Sequence, residues 1–286
     1  MRSRKLKHLT RSLISVSILA VSLQTAHAQN PSGMNTSPSP SAETFQPILG
    51  QQGKDVIWVP TGQSLVEHML AMAKVTPQDY VVDLGSGDGR TVIAAAKMGA
   101  QAHGIEYNPD LVQLSKKSAA QAGVSDKASF TQGDIFESDF SEATVVTLFL
   151  LPNLNLKLRP ILLDMKPGTR VVSNSFTMGD WTPDDSIEGG SDCTSFCRAY
   201  LWIVPEKVAG SWQLGNDTWL TLNQTYQELT GELRKNGNAY PLTEGKIQGS
   251  RLSFTANGET YTAQASPNHM TGQNSKGKTW SATRKP

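Results

Sequence analysis

The chain has 286 residues, with 26 Lys and Arg against 25 Asp and Glu, and its formal net charge is +1. This balance gives no support for a large nucleic-acid interface, which needs an excess of basic residues, so no nucleic-acid partner is expected. The length suffices for one medium-sized domain and a second, smaller one. The two cysteines, Cys193 and Cys197, have too few potential ligands nearby for a metal site to be expected.

The N-terminus has the pattern of a secretory signal peptide. Basic residues without any acid precede an apolar run of about a dozen residues, which is too short to cross a bilayer comfortably. The run ends at Ala26-His27-Ala28, an A-x-A cleavage pattern. We therefore expect residues 1–28 to be a signal peptide and the mature chain to be periplasmic. The alternative is an uncleaved membrane anchor, with the domain facing the cytosol.

Residues 29–50 are dominated by Ser, Pro, Asn and Gln. Such a composition buries too little apolar surface to offset the entropy lost on ordering, so this segment is predicted to be a flexible linker. The first folded domain is then expected at residues 51–205 and the second at residues 206–286.

Residues 64–151 alternate between helical and strand patterns. Ser64 and Glu67 form a capping-box pattern, which predicts that Ser64 is the N-cap of a helix. Asn108 and Pro109 predict the start of a later helix, and Gly123 predicts its end. The predicted elements are a helix at 64–75, a strand at 80–84, a helix from 90, a strand at 101–106, a helix from 109, a weaker strand at 129–134 and a strongly apolar strand at 143–151.

The alternation continues to about Pro205. A helix is predicted at 154–165, where Pro160 is expected to kink or shorten it, and strands are predicted at 170–176 and 199–205. Alternating strands and helices are typical of an α/β, Rossmann-like fold, in which a mostly parallel sheet carries helices on both faces.

The segment 177–197 is polar and rich in glycine and has no helical period. The helix expected between the last two strands is therefore missing, and the outer edge of the sheet is expected to be abbreviated. Trp181, because it lies in this loop, is the tryptophan most suited to line a channel for an acceptor substrate. Cys193 and Cys197 also lie here, and they either pair across a tight turn or remain free thiols.

The sequence changes character after Pro205. Short runs rich in Thr, Tyr and Trp are separated by turn sequences such as Asn236-Gly237 and Asn257-Gly258. This spacing predicts a small antiparallel β domain, either a sandwich or a partly closed barrel. Gly210-Ser211-Trp212 and Arg284 resemble the Gly-x-Trp sequence and the arginine corner of calycin-type barrels, although this segment is much shorter.

The sequence VVDLGSGDGR, residues 81–90, places an acid and three spaced glycines where a buried strand turns into a helix. Glu106 ends the next strand about twenty residues later, where an acid can accept hydrogen bonds from both hydroxyls of a ribose. Asp134 follows the third strand, within reach of an adenine amino group. The loop contains no lysine, which argues against a triphosphate P-loop. The expected ligand is an adenosine with free ribose hydroxyls.

These residues resemble the class I (seven-strand) methyltransferases that use S-adenosylmethionine, whose first motif is D/E-x-G-x-G-x-G. The resemblance extends over about residues 54–205, where Trp58-Val-Pro-Thr61, DLGSGDGR, GIEYNP, GDIF, TLFLLPN and KPGTRVVSNSF follow in order. This series is similar to one lysine methyltransferase family, which includes the ATP synthase c-subunit lysine methyltransferases. It implies an enzyme with S-adenosylmethionine as cofactor and a protein lysine as the expected methyl acceptor.

The resemblance also implies roles for individual residues. Asp83, Gly85, Ser86, Gly87 and Gly89 would shape the loop around the methionine part of the cofactor. Glu106 would bind the ribose, Asp134 and Ile135 would hold the adenine, and Thr61 would help to cover the methionine carboxylate. The alternatives are that Glu106 is a surface acid, Asp134 an ordinary loop acid and Thr61 a turn residue.

Asn153 follows the fourth strand, at the position that faces the transferred methyl group in this family. Its side-chain carbonyl is a candidate to orient an acceptor amine, and its alternative role is the N-cap of the next helix. No dedicated general base is evident, since His68 and His103 fall in a helical and a strand pattern. We expect both histidines to have structural or surface roles.

Three hypotheses for function follow. The first is an exported or membrane-associated methyltransferase that transfers a methyl group to a protein lysine. The second is a small-molecule methyltransferase on the same scaffold. The third is a non-catalytic binding protein whose β domain docks on a cell-envelope partner, because S-adenosylmethionine is made in the cytosol and a signal peptide directs the chain away from it.

Overall fold

A computed structural model describes residues 45–190 and 193–285. The predicted signal peptide, residues 1–28, and most of the predicted linker, residues 29–50, lie outside the described residues. The described chain contains a mostly parallel sheet of seven strands and an antiparallel sheet of nine strands. Within these two stretches, every helix is too short or too polar to span a bilayer.

The first sheet and its helices occupy residues 63–203. Their bounds are α1 Gln63–Met72, β1 Tyr80–Leu84, α2 Arg90–Lys97, β2 Gln101–Glu106, α3 Pro109–Gln121, β3 Ala128–Gln132, β4 Val145–Leu148, α4 Pro152–Leu163, β5 Arg170–Asn174, β6 Asp185–Glu188 and β7 Arg198–Ile203. The strand order is β3-β2-β1-β4-β5-β7-β6, parallel as far as β5 and antiparallel at β7 and β6. The predicted α/β fold with a mostly parallel sheet is confirmed.

Strand β1 explains why helices cover both faces of this sheet. Neighbouring side chains of a strand point to opposite faces. Val81 packs in a cluster with α1, α2 and α3, whereas Val82 and Leu84 pack in a second cluster with α4. A strand covered on both faces needs a nearly continuous apolar sequence, which Tyr80–Leu84 provides.

Helix α1 begins differently from its prediction. Gly62 is the N-cap residue and makes no side-chain capping bond. The Ser64 Oγ accepts a hydrogen bond from the backbone N–H of Gly190 at 3.2 Å, and the Gln63 Nε2 donates to the Glu67 Oε1 at 3.1 Å. The capping-box prediction is wrong because Gly62 occupies the cap position and places Ser64 inside the helix.

The end of β4 and the start of α4 also differ from their predictions. Strand β4 stops at Leu148, which pairs with Leu84, because β1 turns into the glycine loop beyond that residue. Helix α4 begins at Pro152 with Leu151 as its N-cap residue, so Asn153 is not the N-cap. The helix also continues through Pro160 to Leu163 instead of ending there. The side chain of Pro160 is exposed, so its ring does not disturb the packed face.

The abbreviated outer edge predicted for the sheet is wrong. Strand β6, within the segment predicted to be only a loop, pairs antiparallel with β7 and completes seven strands. Its four residues contain one half-buried apolar side chain, Ile187, so the strand pattern was too short to recognise. Cys193 and Cys197, whose state the sequence left open, form a disulfide between β6 and β7.

The second sheet occupies residues 210–285. Its strands are β8 Gly210–Gly215, β9 Thr218–Thr225, β10 Glu228–Lys235, β11 Asn238–Pro241, β12 Thr243–Gln248, β13 Arg251–Ala256, β14 Glu259–Ser266, β15 His269–Asn274 and β16 Thr279–Lys285. The sheet closes into a barrel because β9 pairs with β8 on one side and with β10 on the other. Of the two predicted architectures, the barrel is therefore the one observed, and it is fully closed.

The predicted turns and corner of the β domain are present. Asn236 and Gly237 both have positive φ, as do Asn257 and Gly258, which is the backbone of two-residue type I′ hairpins. The Arg284 guanidinium lies 4.5 Å from the ring centre of Trp212 and donates to the carbonyl of Ala209. Trp212 itself is fully buried in an interior filled with apolar side chains.

The barrel contacts the α4 side of the parallel sheet. Tyr226 of the barrel stacks on Trp181, with 6.0 Å between the ring centres. The Gln227 Nε2 donates to the carbonyl of Thr182 at 2.6 Å. Trp181 is fully buried and also packs on Trp202, so its predicted place in an acceptor channel is wrong. Trp181 lies in a polar loop of the sequence, but Tyr226, more than forty residues further along the chain, covers it.

Candidate active site

A cleft opens at the carboxyl ends of β1, β2 and β4, the edge at which open α/β sheets bind their ligands. Eight of the ten residues predicted from the sequence to form the site line this cleft: Thr61, Asp83, Gly85, Ser86, Gly87, Glu106, Asp134 and Ile135. The other two, Gly89 and Asn153, lie outside it. The fold thus gathers side chains from positions more than seventy residues apart.

The glycine loop needs its glycines for different reasons. Gly85, Gly87 and Gly89 all have positive φ, at 77°, 54° and 81°, a region that side chains disfavour. A Cβ on Gly87 would lie 2.8 Å from the Trp58 Nε1, and one on Gly85 would lie 3.3 Å from the Leu150 side chain. Both positions therefore keep the floor of the cleft open.

Gly89 serves packing beneath the cleft. It is the N-cap residue of α2, and a Cβ there would lie 2.8 Å from the side chains of both Phe130 and Ser115. The hydroxyl of Ser86 is also turned towards the sheet, since a Cβ on Gly104 would lie 2.5 Å from its Oγ. Ser86 therefore adjoins the cleft through its backbone rather than through its hydroxyl.

Glu106 joins the glycine loop to the end of β2. Its Oε2 accepts a hydrogen bond from the backbone N–H of Gly87 at 2.9 Å, and its Oε1 accepts one from the N–H of Asn108, also at 2.9 Å. Each carboxylate oxygen has a second lone pair available for a ligand hydroxyl. The geometry thus suits a residue that accepts two hydrogen bonds from a ribose.

Asp134 is already paired with a basic residue that the sequence did not single out. Lys54 forms an ion pair with its Oδ2, and the backbone N–H of Phe136 donates to its Oδ1 at 2.9 Å. The hydrogen bond from Lys54, followed by that from Phe136, lowers the pKa of Asp134. An adenine amino group at this position would therefore share the carboxylate with Lys54.

Asp83 is a buried acid at the centre of the cleft floor. The Thr147 hydroxyl donates to its Oδ1 at 2.6 Å. Burial, together with the nearby charges of Glu106 and Asp88, raises the pKa of Asp83 to about 7 despite that hydrogen bond. Asp83 is therefore sensitive to any cation that enters the cleft, because a positive charge favours the ionised carboxylate.

Thr61 is part of the network that attaches the segment before α1 to the sheet. Its carbonyl accepts a hydrogen bond from the Arg90 Nη1 at 2.8 Å, and its Oγ1 accepts one from the Asn174 Nδ2 at 3.1 Å. Arg90 also forms an ion pair with Asp88 at 2.6 Å. Thr61 is thus held at the rim of the cleft by the start of α2 and the end of β5.

Most of the lining residues were not predicted from the sequence, and among them are Lys54, Trp58, Asp88 and Arg90. Trp58 was named from the sequence only as part of the Trp58–Thr61 motif, and the pairing of Gln52 with Ile57 folds its segment back over the glycine loop. Asp88 and Arg90 lie in or next to the glycine motif, and this position could have indicated that they line the cleft. Nothing local in the sequence indicated that Lys54 would reach Asp134, eighty positions away.

Asn153 occupies the exposed first turn of α4, outside the lining of the cleft. The buried asparagine of this helix is Asn155, whose Nδ2 donates to the Phe176 carbonyl at 3.1 Å and to the Ser173 Oγ at 3.2 Å. The role of Asn153 in orienting an amine stays a prediction. Asn155 was not predicted, although its spacing within an apolar helix face was visible in the sequence.

The histidines that the sequence assigned to structural positions lie away from the cleft. The His68 Nδ1 is 2.9 Å from the Glu188 carbonyl, and the His103 Nδ1 is 2.8 Å from the Ser129 Oγ. Burial lowers the pKa of His103. Across residues 45–190 and 193–285, no group of three His, Cys, Asp or Glu side chains is placed to hold a metal ion.

Comparison with known proteins shows the family to which this region belongs. The model of the ANTKMT methyltransferase domain matches residues 83–185, which contain the glycine loop, Glu106 and Asp134. A protein-lysine N-methyltransferase of Saccharolobus islandicus is 43% identical over 154 residues, covering 53% of this chain and 95% of that protein. The chain belongs to the ANTKMT methyltransferase family.

Two further proteins are similar to this chain, and the alignment covers a different share of the length of each. The ATP synthase c-subunit lysine N-methyltransferase of Mus musculus is 38% identical over 136 residues, and the alignment covers 47% of this chain and 55% of that enzyme. The crystal structure of an RNA methyltransferase from Salinibacter ruber, in complex with S-adenosyl-L-homocysteine, is 51% identical with a TM-score of 0.49, covering 52% of this chain and 96% of that one. This ANTKMT-family chain thus spans about half the length of the mouse enzyme.

The cofactor of this ANTKMT-family enzyme is S-adenosylmethionine, and the cleft fits it. Glu106 presents both carboxylate oxygens at the end of β2 for a ribose, and the absence of a Cβ on Gly85 and Gly87 leaves room above the loop. Five acidic side chains line the cleft against two basic ones, which suits a cationic sulfonium ligand: Asp55, Asp83, Asp88, Glu106 and Asp134 against Lys54 and Arg90. When bound, the cofactor supplies an activated methyl group.

Proposed function

We propose that this methyltransferase acts on the amine of a lysine side chain in a protein. The observation that carries the proposal is the 43% identity to an archaeal protein-lysine N-methyltransferase across 95% of the length of that enzyme. The match to the mouse lysine N-methyltransferase of the ATP synthase c-subunit points to the same class of acceptor. Direct in-line transfer to the amine nitrogen is the mechanism we propose.

The lining of the cleft near the end of β4 suits a lysine acceptor. A lysine amine has an ordinary pKa of about 10.4 and must lose its proton before its lone pair can react. Leu150 and Leu154 make this end of the cleft apolar, and an apolar environment lowers the pKa of an amine. The residues of this chain then act by aligning the amine and excluding water, with Asn153 as the proposed orienting side chain.

Two other functions remain as alternatives for the test. A small-molecule methyltransferase would use the same cleft with a small amine as acceptor. A non-catalytic binding protein would hold an adenosine ligand, or none, and would use its barrel to dock on a cell-envelope partner. Both alternatives leave the cofactor cleft in place, so the acceptor has to be identified directly.

The experiment follows the methyl group. The purified protein is incubated with tritium-labelled S-adenosylmethionine and a cell-envelope extract, and label is measured in protein, RNA and small-molecule fractions. We expect label in protein, with methylated lysine found by mass spectrometry, and no label when Glu106 is replaced by alanine. Turnover confined to small amines or to RNA would refute the lysine proposal. Calorimetry with S-adenosylmethionine and S-adenosylhomocysteine tests cofactor binding separately.

We further propose that the enzyme is exported and methylates a protein of the cell envelope. The signal-peptide pattern of residues 1–28 supports this proposal, and so does the Cys193–Cys197 disulfide, because disulfides persist mainly in oxidising compartments. The cofactor would then have to reach that compartment. A fusion of the first fifty residues to a compartment-sensitive reporter tests the proposal, and retention of the reporter in the cytosol would contradict it.

A further inference from the structure

Three phenylalanine rings meet at one end of the cleft. The ring centres of Phe149 and Phe176 are 6.2 Å apart, and Phe196 lies 5.3 Å from Phe149 and 6.1 Å from Phe176. Phe149 lines the cleft, whereas Phe196 is 44% exposed. The cluster therefore extends from the cleft to the solvent, which is the path that an acceptor side chain has to take.

The backbone around two of these rings is strained. Phe196 has a φ of +57°, and Ser175, directly before Phe176, has a φ of +61°. Bulky residues rarely adopt this left-handed conformation, and such outliers concentrate at functional sites, where the surrounding structure enforces them. Two separate segments thus adopt unfavourable conformations next to the rings that they bring together.

Each of the two segments is held in place by specific bonds, a hydrogen bond in one case and a disulfide in the other. The Asn155 Nδ2 donates to the Phe176 carbonyl at 3.1 Å and holds the turn that follows β5. The Cys193–Cys197 disulfide closes the loop that carries Phe196. That loop is attached to α1, since the Gly190 N–H donates to the Ser64 Oγ and the Cys193 N–H donates to the Gly190 carbonyl. Phe196 is therefore positioned by a covalent link and not only by packing.

We infer that Phe149, Phe176 and Phe196 form the binding wall for the acceptor lysine and that Phe196 determines specificity for it. The inference rests on the proposed function. The methylene stem of a lysine packs on apolar ring surface, and its ammonium is attracted to a ring face when it lies within about 6 Å of the centre. A norleucine side chain has a similar stem but no charge, so the rings distinguish the two.

The surroundings of the wall indicate the sequence context of the acceptor. Leu151, two positions after Phe149, is 42% exposed and adds apolar surface beside the cluster. A lysine flanked by apolar residues therefore complements this end of the cleft better than one flanked by charges. The probe we choose is accordingly a short peptide with a central lysine between leucine and alanine residues, together with its norleucine counterpart.

The disulfide makes acceptor binding sensitive to redox state. Reduction by a dithiol adds two electrons and two protons to the Sγ–Sγ bond, leaves two thiols and converts the dithiol into its own disulfide. The loop is then no longer closed, and Phe196 can relax from its left-handed conformation. Cofactor binding is unaffected, because Cys193, Cys197 and Phe196 are absent from the lining of the cofactor cleft.

The test is calorimetric titration of the purified protein, saturated with S-adenosylhomocysteine, with both peptides. We expect the lysine peptide to bind more tightly than the norleucine peptide, and Phe196→Ala to weaken lysine binding about 10-fold. A double variant, Cys193→Ser with Cys197→Ser, should show the same weakening, as should the reduced wild type. Trp219→Ala is the matched control, since Trp219 is an aromatic residue of similar exposure, 37%, on the barrel.

The outcomes separate this inference from the proposed function. Equal affinity of the wild type for both peptides, or unchanged affinity in Phe196→Ala, overturns the binding wall. Methyl transfer to the lysine peptide is measured in parallel with the same variants. Selective lysine binding without transfer supports the wall and contradicts the proposed function, whereas transfer whose KM is the same in wild type and Phe196→Ala supports the function and contradicts the wall.

Discussion

The parallel sheet and the barrel are both built from strands, but they bury different groups. The sheet and its helices bury two acids, Asp79 and Asp83, and amide side chains such as Asn155 and Asn174. Among the residues described in the barrel, the only buried polar side chain is Gln227, at the contact with the sheet. Every residue that lines the cofactor cleft comes from before the barrel.

The difference follows from how each sheet ends. A parallel sheet leaves the carboxyl ends of its strands open, and loops from several strands can place polar groups there. A closed barrel has no free edge, and in a small barrel side chains fill the interior. We conclude that the cofactor cleft belongs entirely to the first region, and that interior packing is the main determinant of stability in the second. Four substitutions test this division, from the largest expected effect to the smallest.

Trp212→Ala should separate the stability of the barrel from cofactor binding. Trp212 is fully buried in the barrel core, so its removal leaves a large cavity. We expect the free energy of unfolding to fall by about 3–5 kcal/mol in a urea titration. Affinity for S-adenosylhomocysteine in the absence of urea should change little. The control is Trp219→Ala, on the outside of the same barrel, and equal losses in both variants would contradict the packed-core interpretation.

Gly87→Val should affect cofactor binding, which Trp212→Ala is expected to leave unchanged. Its Cβ would lie 2.8 Å from the Trp58 Nε1 at a φ of +54°, so the loop has to move. We expect the affinity for S-adenosylmethionine to fall at least 100-fold, which corresponds to about 2.7 kcal/mol. Gly123→Val is the matched control, because Gly123 also has positive φ but open space around it. Unchanged calorimetric affinity in Gly87→Val would refute the assignment of the cleft.

Asp83→Asn tests where the pH dependence of stability originates. The pKa of Asp83 in the folded protein is about 7, above its ordinary value of 3.8. The folded state therefore keeps a proton that the unfolded chain has lost, and the free energy of unfolding falls as the pH rises through this window. Between about pH 5 and pH 7 the loss should be about 2 kcal/mol in the wild type without cofactor.

The Asn variant should lose this slope, which urea titrations at several pH values will measure. Asp79 does not interfere in that window. Burial opposes its ionisation, but hydrogen bonds from Arg170, Thr144 and Thr76 lower its pKa to about 2. The stability that Asp79 contributes is therefore lost only below about pH 4. A wild-type slope that persists in Asp83→Asn would place the titrating group elsewhere.

Arg284→Ala should have the smallest effect. Its guanidinium lies over Trp212 and donates to the carbonyls of Pro267, Ala209 and Lys207. We expect a loss of about 1–2 kcal/mol in the free energy of unfolding and no change in cofactor affinity. Arg284→Lys keeps the charge but not the planar set of donors, so it should recover only part of the loss. Full recovery by lysine would show that charge alone matters.

Much of the fold was predictable because it depends on local sequence. The glycine motif, the apolar strands and the cap at Asn108 each use residues within a few positions of one another. The errors arose where distant segments decide the conformation. Gly62 took the cap position from Ser64, which binds Gly190 instead, and β6 exists because β7 offers it a partner.

The sequence by itself determined the α/β class, the glycine loop and eight of the residues that line the cleft, because the motifs that carry them depend on short-range spacing. Only the tertiary structure decided which asparagine of α4 is buried, that Lys54 reaches Asp134, and that the barrel closes. It also decided that Phe149, Phe176 and Phe196 meet. These contacts join positions far apart in the chain, and their energies depend on the packing of the whole fold, which local spacing does not encode.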